Sequence, residues 1–139
     1  MKILSLDTLI KRLEFWRTLG DKIVFTNGCF DILHQGHVHL LSCCNGFGDR
    51  LIVGLNSDSS VKQLKGPSRP VNDEKSRAVV LAATQFVDAV TFFYELTPEN
   101  LIHTIKPDVL VKGGDWKKDE IIGSEFVESY GGQVKTVSY

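Results

Sequence analysis

Long apolar runs, a paired set of cysteines and an excess of either charge are all missing from this sequence. The apolar stretches fall far short of the roughly 20 residues that a membrane-spanning helix requires, so no such span is expected. No signal-peptide pattern opens the chain. The three cysteines, Cys29, Cys43 and Cys44, are odd in number and two are adjacent. That is a poor disulfide framework and fits a reducing compartment, so we expect a cytoplasmic protein. Sixteen Lys and Arg against 17 Asp and Glu leave a net charge of −1. With no basic stripe visible, nucleic acid is not expected as a partner, nor is a membrane. No low-complexity tract or linker interrupts the 139 residues. One domain over 1–139 is expected, long enough for a single buried core.

What the sequence does have is alternation between apolar, β-branched runs and helical patterns. KIVFTN (Lys22–Asn27), RLIVGLN (Arg50–Asn56), DAVTFF (Asp88–Phe93), DVLVKG (Asp108–Gly113) and QVKTVSY (Gln133–Tyr139) read as strands. The first, second and fourth are nearly continuous in apolar residues, as parallel strands covered on both faces are. Helical stretches separate them: HVHLLSCC; NDEKSRAVVLAAT with Asn72 as cap; TPENLIHTIK with Thr97 as cap and Pro98 at the first helical position; and GSEFVESYGG with Ser124 as cap. Residues 1–20 supply an amphipathic helix with Leu6, Leu9, Ile10, Leu13 and either Phe15 or Trp16 turned inward. This order implies an α/β, Rossmann-like, doubly wound five-stranded parallel sheet preceded by an N-terminal helix. Ligands then belong at the carboxyl ends of the strands, after Asn27, Asn56, Phe93 and Lys112. The segment SDSSVKQLKGPSRPV is expected to be a long functional or mobile loop.

The first of those sites is the most informative. TNGCFDILHQGH follows the first strand, and Gly28 allows a sharp turn and close approach of backbone to ligand. His34 and His37 stand three apart around a first helical turn, on one face about 5–6 Å apart, with Gly36 clearing the surface between them. A helix N-terminus adds free N–H groups and partial positive charge, which suit a phosphate. Two partly buried polar histidines at a helix start are the plain alternative. Zinc needs a third and a fourth ligand, and Cys44 lies about 10 Å further along the helix at 1.5 Å per residue. No metal site built from protein side chains is therefore assigned. His39 projects away from His37, and His103 reads as surface or packing.

TNGCFDILHQGH resembles the G-x-F-D-x-x-H-x-G-H signature of the cytidylyltransferase-like nucleotidyltransferases. DRLIVGLNSD, LKGPSRPVN, SRAVVLAA, IKPDVLVKGGDW and GGQVKTV are similar, in order and spacing, to one branch, the D-glycero-β-D-manno-heptose 1-phosphate adenylyltransferases. The resemblance implies a sugar 1-phosphate oxygen attacking the α-phosphorus of ATP, with Mg²⁺ as cofactor and pyrophosphate leaving. It implies that His34, His37 and Lys65 act in catalysis. Thr26, Asn27, Gly28, Cys29, Phe30, Asp31 and Gly36 would form the nucleotide floor, and Lys112, Gly113, Gly114 and Asp115 the base and ribose edge. Asp58, Arg69 and Arg77 would face substrate phosphate, with a surface ion pair to Asp73 as the other reading of Arg77. Relatives are commonly dimers, so a homo-oligomer is expected. Two other functions remain open: a cytidylyltransferase acting on glycerol 3-phosphate or a similar alcohol phosphate, and a non-catalytic nucleotide-binding module. Members of the branch continue past the last strand into a G-x-S-T-T segment and a final helix. The sequence stops at Tyr139 before them, so either the natural chain is longer or that part of the phosphate site is missing.

Overall fold

A computed structural model describes residues 1–138; Tyr139, the expected end of the last strand, lies outside the described residues. Helix α1 (Leu6–Thr18) is capped by Ser5, whose hydroxyl accepts the Thr8 N–H. It buries Leu9, Leu13 and Trp16, a stripe at helical spacing. Trp16 is therefore the inward aromatic, with the Arg50 guanidinium 5.1 Å from its ring centroid. Leu6 and Phe15 are exposed at 39% and 60%. The remaining order is β1 (Ile23–Gly28), α2 (Gln35–Gly46), β2 (Arg50–Asn56), α3 (Asp58–Lys65), α4 (Glu74–Ala83), β3 (Ala89–Phe93), α5 (Glu99–Ile105), β4 (Val109–Gly113), a short 3₁₀ turn (Lys118–Glu120), α6 (Ser124–Ser129) and β5 (Gln133–Val137). No described helix is long and apolar enough to cross a membrane.

All five strands run parallel in the order β3-β2-β1-β4-β5. The chain winds outward from β1 to β3, then returns to place β4 on the other side of β1. The switch point, where a doubly wound sheet opens a crevice, thus lies between the carboxyl ends of β1 and β4. Alternate strand residues supply two cores. Ile23, Phe25 and Leu110 pack with Leu9, Leu13, Ile102, Ile105 and Val127 under α1, α5 and α6. Val24, Val53, Val109 and Val111 pack with Leu40, Leu41, Ala78 and Leu81 under α2 and α4. The N-terminal residues also extend the sheet edge: Val90 donates its N–H to the Lys2 carbonyl and accepts from Leu4 N–H.

The expected long loop is half helix. Ser57 caps α3, Asp58 sits in its first turn, Lys62 and Lys65 in its last, and Gly66 ends it. Each is a recognised boundary signal, and Gly66–Asp73 remains as loop. Three caps also move. Asp73, not Asn72, accepts the Ser76 N–H at the start of α4. Pro98 rather than Thr97 is the N-cap of α5, and Gly123 in a left-handed conformation precedes α6 in place of the Ser124 cap.

Candidate active site: a cleft at the sheet switch point

A cavity of about 910 Å³ opens across the carboxyl edge of the sheet, its walls running from His34, His37 and Lys65 to Lys112 and Trp116. Its floor is the β1–α2 loop. Phe30 holds φ 45°, the left-handed region that a bulky residue adopts only where its surroundings enforce it. The fixing contacts are visible. Its buried ring lies over Gly28, where an added Cβ would meet Phe30 Cε2 at 3.0 Å, and stands 5.2 Å from the His37 ring.

Two side chains stitch this loop to its neighbours. The buried Asp31 carboxylate accepts the backbone N–H groups of Val71 (2.8 Å) and Asn72 (2.8 Å) and pairs with Arg69 Nε at 3.2 Å. Burial alone would raise its pKa. The Asn72 and Val71 hydrogen bonds, with the Arg69 and Arg77 charges, outweigh that and hold it below the ordinary carboxylate value. Arg77 lies beneath the floor, fully buried. Its guanidinium donates to the carbonyls of Asn72 (3.0 Å), Cys29 (2.7 Å) and Asn56 (2.8 Å) and to Asp58 Oδ1 (2.7 Å). Both expectations for Arg77 are corrected: it neither pairs with Asp73 on a surface nor faces the cleft, because its donors are spent on the loops it joins. Asp58 goes with it, its carboxylate bound to Arg77 and its N–H donating to Glu74.

The histidines form a reciprocal cap. His34 is the N-cap of α2, and its Nδ1 accepts the Gly36 N–H at 3.0 Å; His37 Nδ1 accepts the His34 N–H at 3.3 Å. The rings stack with centroids 4.0 Å apart. Because both Nδ1 atoms accept from backbone, the proton of each neutral ring resides on Nε2. The pair thus presents two Nε2–H donors with a fixed tautomer. Burial first, then the charges of His34 and Lys65, lower the pKa of His37 below its ordinary value, against an opposing backbone hydrogen bond with Ile32. Lys65, at the exposed end of α3, and Arg69 complete a positive rim on this side.

Of the other expected residues, Thr26 is buried within the sheet, its hydroxyl donating to the Val111 carbonyl. Gly36 belongs to the histidine cap and is not itself part of the wall. Cys29 is half-buried, with a thiol pKa raised chiefly by burial, which disfavours the thiolate and a nucleophilic role. Lys112 is half-buried on the opposite wall, its pKa lowered by burial, and its ammonium stands 5.1 Å from the Trp116 ring centroid. Gly114 at φ 108° makes the turn that lets Trp116 Nε1 donate to the Gly113 carbonyl at 3.1 Å. Asp115 is exposed beside this turn and accepts from Ser138. Leu64, at the end of α3, Pro98, the N-cap of α5, and Leu96 and Ile122 also line the cleft; no motif marks Leu96 or Ile122. Among the described residues, no three of His, Cys, Asp and Glu converge as a metal-ligand set.

This fold is shared with a known group of proteins. Residues 25–136 match the model of the cytidylyltransferase-like family, and the chain belongs to that family. Over 136 residues it is 53% identical to the bifunctional protein HldE of Methylobacillus flagellatus, an alignment covering 98% of this chain and 28% of that relative. The chain thus spans a little over a quarter of the curated relatives it matches. Among solved structures it is similar to the lipopolysaccharide core biosynthesis protein of Thermoplasma volcanium, with 33% identity and a TM-score of 0.69 over 86% of this chain and 96% of that one. Pantothenate synthetase from Thermus thermophilus shares the fold alone, at 16% identity and a TM-score of 0.60, over 100% of this chain and 61% of that one.

Proposed function

We propose that this chain transfers the adenylyl group of ATP to D-glycero-β-D-manno-heptose 1-phosphate, releasing pyrophosphate and forming ADP-heptose for the lipopolysaccharide core. The supporting observation is the locked histidine pair, two Nε2–H donors fixed beside Lys65 and Arg69 at the mouth of the cleft. A sugar phosphate oxygen forms a bond to the α-phosphorus as the bond to the bridging oxygen of pyrophosphate breaks. No covalent enzyme intermediate is needed, so the protein's task is positioning and stabilising charge. His34 and His37 donate to the triphosphate as negative charge shifts toward the leaving group, and fixed donors need no reorganisation at that moment. Lys65 and Arg69 add charge, while Asp31 and Arg77 hold the floor beneath.

The donor set in the cleft is cationic and hydrogen-bond-donating, and so fits phosphate oxygens rather than a metal. Mg²⁺ would therefore be carried by the triphosphate itself, neutralising part of its charge. The Thermoplasma relative is named for lipopolysaccharide core biosynthesis, which supports that destination, and the LKGPSRPVN and VKGGDW segments resemble the heptose branch. The reading extends to a cytoplasmic, homo-oligomeric enzyme, which size-exclusion with light scattering tests. The deciding experiment is pyrophosphate release from ATP or CTP, with Mg²⁺, against heptose 1-phosphate and glycerol 3-phosphate. Release with ATP and the heptose is the expected result. Release only with CTP and the alcohol phosphate would assign the rival reaction, and no release with any pair would remove the reading.

A further inference from the structure

The cleft has a second half, away from the histidines. Thr26 pairs with Val111 in the sheet, so Asn27 and Lys112 are neighbours at the switch point. Both follow residues of the α1/α5/α6 core, Phe25 and Leu110, by two positions. They therefore project onto that face, opposite the layer that carries the histidines. There a smaller recess continues the cleft, walled by Pro98, Trp116, Ile121 and Ile122 and edged by Asn27 and Glu120, with Thr97 on the adjoining wall.

We infer that the end of the main cleft that opens onto this recess, which at about 70 Å³ is too small for a sugar ring by itself, is the binding subsite for the sugar ring of the acceptor, with Trp116 as its platform and Asn27, Thr97 and Glu120 as its hydroxyl-reading groups. This rests on the adenylyl-transfer reading above. In-line displacement places the attacking oxygen and the departing pyrophosphate on opposite sides of the α-phosphorus. Pyrophosphate belongs against the histidines, Lys65 and Arg69, so the acceptor enters from the Lys112 side. The chemistry of the recess agrees. An amide, a hydroxyl and a carboxylate offer side-chain donors and acceptors suited to a polyol. Glu120 spends one carboxylate oxygen on the Lys117 N–H and keeps the other. The Lys112 ammonium stands 5.1 Å from the Trp116 ring centroid, which puts a cation beside the platform. The indole suits the C–H face of a sugar, and the Lys112 ammonium suits the phosphate attached to it.

The test combines binding with kinetics on the full chain. Trp116 is 45% exposed, whereas the other tryptophan, Trp16, is buried at 6%, so a ligand-induced change in emission reports on Trp116. Heptose 1-phosphate without ATP should give a saturable change in the wild type that is absent in Trp116→Phe. Glu120→Gln and Thr97→Val should raise KM for the sugar phosphate about tenfold while KM for ATP moves much less. If the variants raise KM for ATP instead, the recess holds the nucleotide base and the inference falls, while adenylyl transfer stands. If the wild type releases no pyrophosphate from ATP and the heptose, the functional reading falls. The subsite is then decided by the titration alone: a saturable Trp116 response to sugar phosphates supports it, and none overturns it.

Discussion

The two halves of the cleft are built differently. On the α2/α4 side nearly every polar side chain is tied to backbone: His34 to Gly36, His37 to His34, Asp31 to Val71 and Asn72, Arg77 to three carbonyls. On the α5/α6 side the walls come from the 114–123 loop and the start of α5, where Trp116 and Glu120 make single local bonds and Ile122 and Leu96 lie exposed. The first half suits charge development, which rewards donors that do not move. The second is a loop surface carried on a rigid sheet, where sequence can change without disturbing the fold. The proposed function thus puts the chemistry in the braced half and acceptor choice in the looser one.

The largest effect should follow from removing the brace. Arg77→Ala leaves three carbonyls and Asp58 without their common partner, and should cost about 3 kcal/mol or more, read by urea unfolding. His37→Ala should leave the fold intact and lower kcat by about 10²–10³, the range for loss of one preorganised donor. A folded variant with wild-type rates would remove His37 from the reaction. Asp31 sharpens the comparison through acid. Its folded pKa lies below the unfolded value of about 3.9, so its stabilisation is complete above that pH and is lost as pH falls through the folded value. Asp31→Asn should destabilise the protein at neutral pH and flatten this part of the acid-unfolding profile. The smallest effect is electrostatic: Lys65→Ala should raise the His37 pKa, because the Lys65 charge lowers it, as NMR titration of the ring would show. No shift would place Lys65 away from the pair in solution.

Much of this was legible beforehand because it depends on periodicity and local chemistry. The apolar runs of β1, β2 and β4, the helices between them and the HQGH cap write their requirements into adjacent residues. Helix α3 is not expected from the sequence although Ser57, Asp58 and Gly66 mark its ends, because its eight residues carry only Val61 and Leu64 as apolar anchors, too few to establish a helical repeat. Arg77 was misread for a different reason. From the chain alone its obvious partner is Asp73, four residues back, whereas of its four actual partners only Asn72 is near in sequence and Cys29, Asn56 and Asp58 are 19 to 48 residues away.

The sequence by itself determined the parallel α/β order, the crevice at the ends of the strands and the two histidines at a helix start. Each follows from spacing along one segment. Only the tertiary structure decided that Arg77 lies beneath the site with Asp58 as its partner, and that Asn27, Glu120 and Trp116 meet across the switch point. Those outcomes depend on which distant carbonyls and loops come within about 3 Å of a side chain, a distance set by the packing of the sheet and its two helical layers.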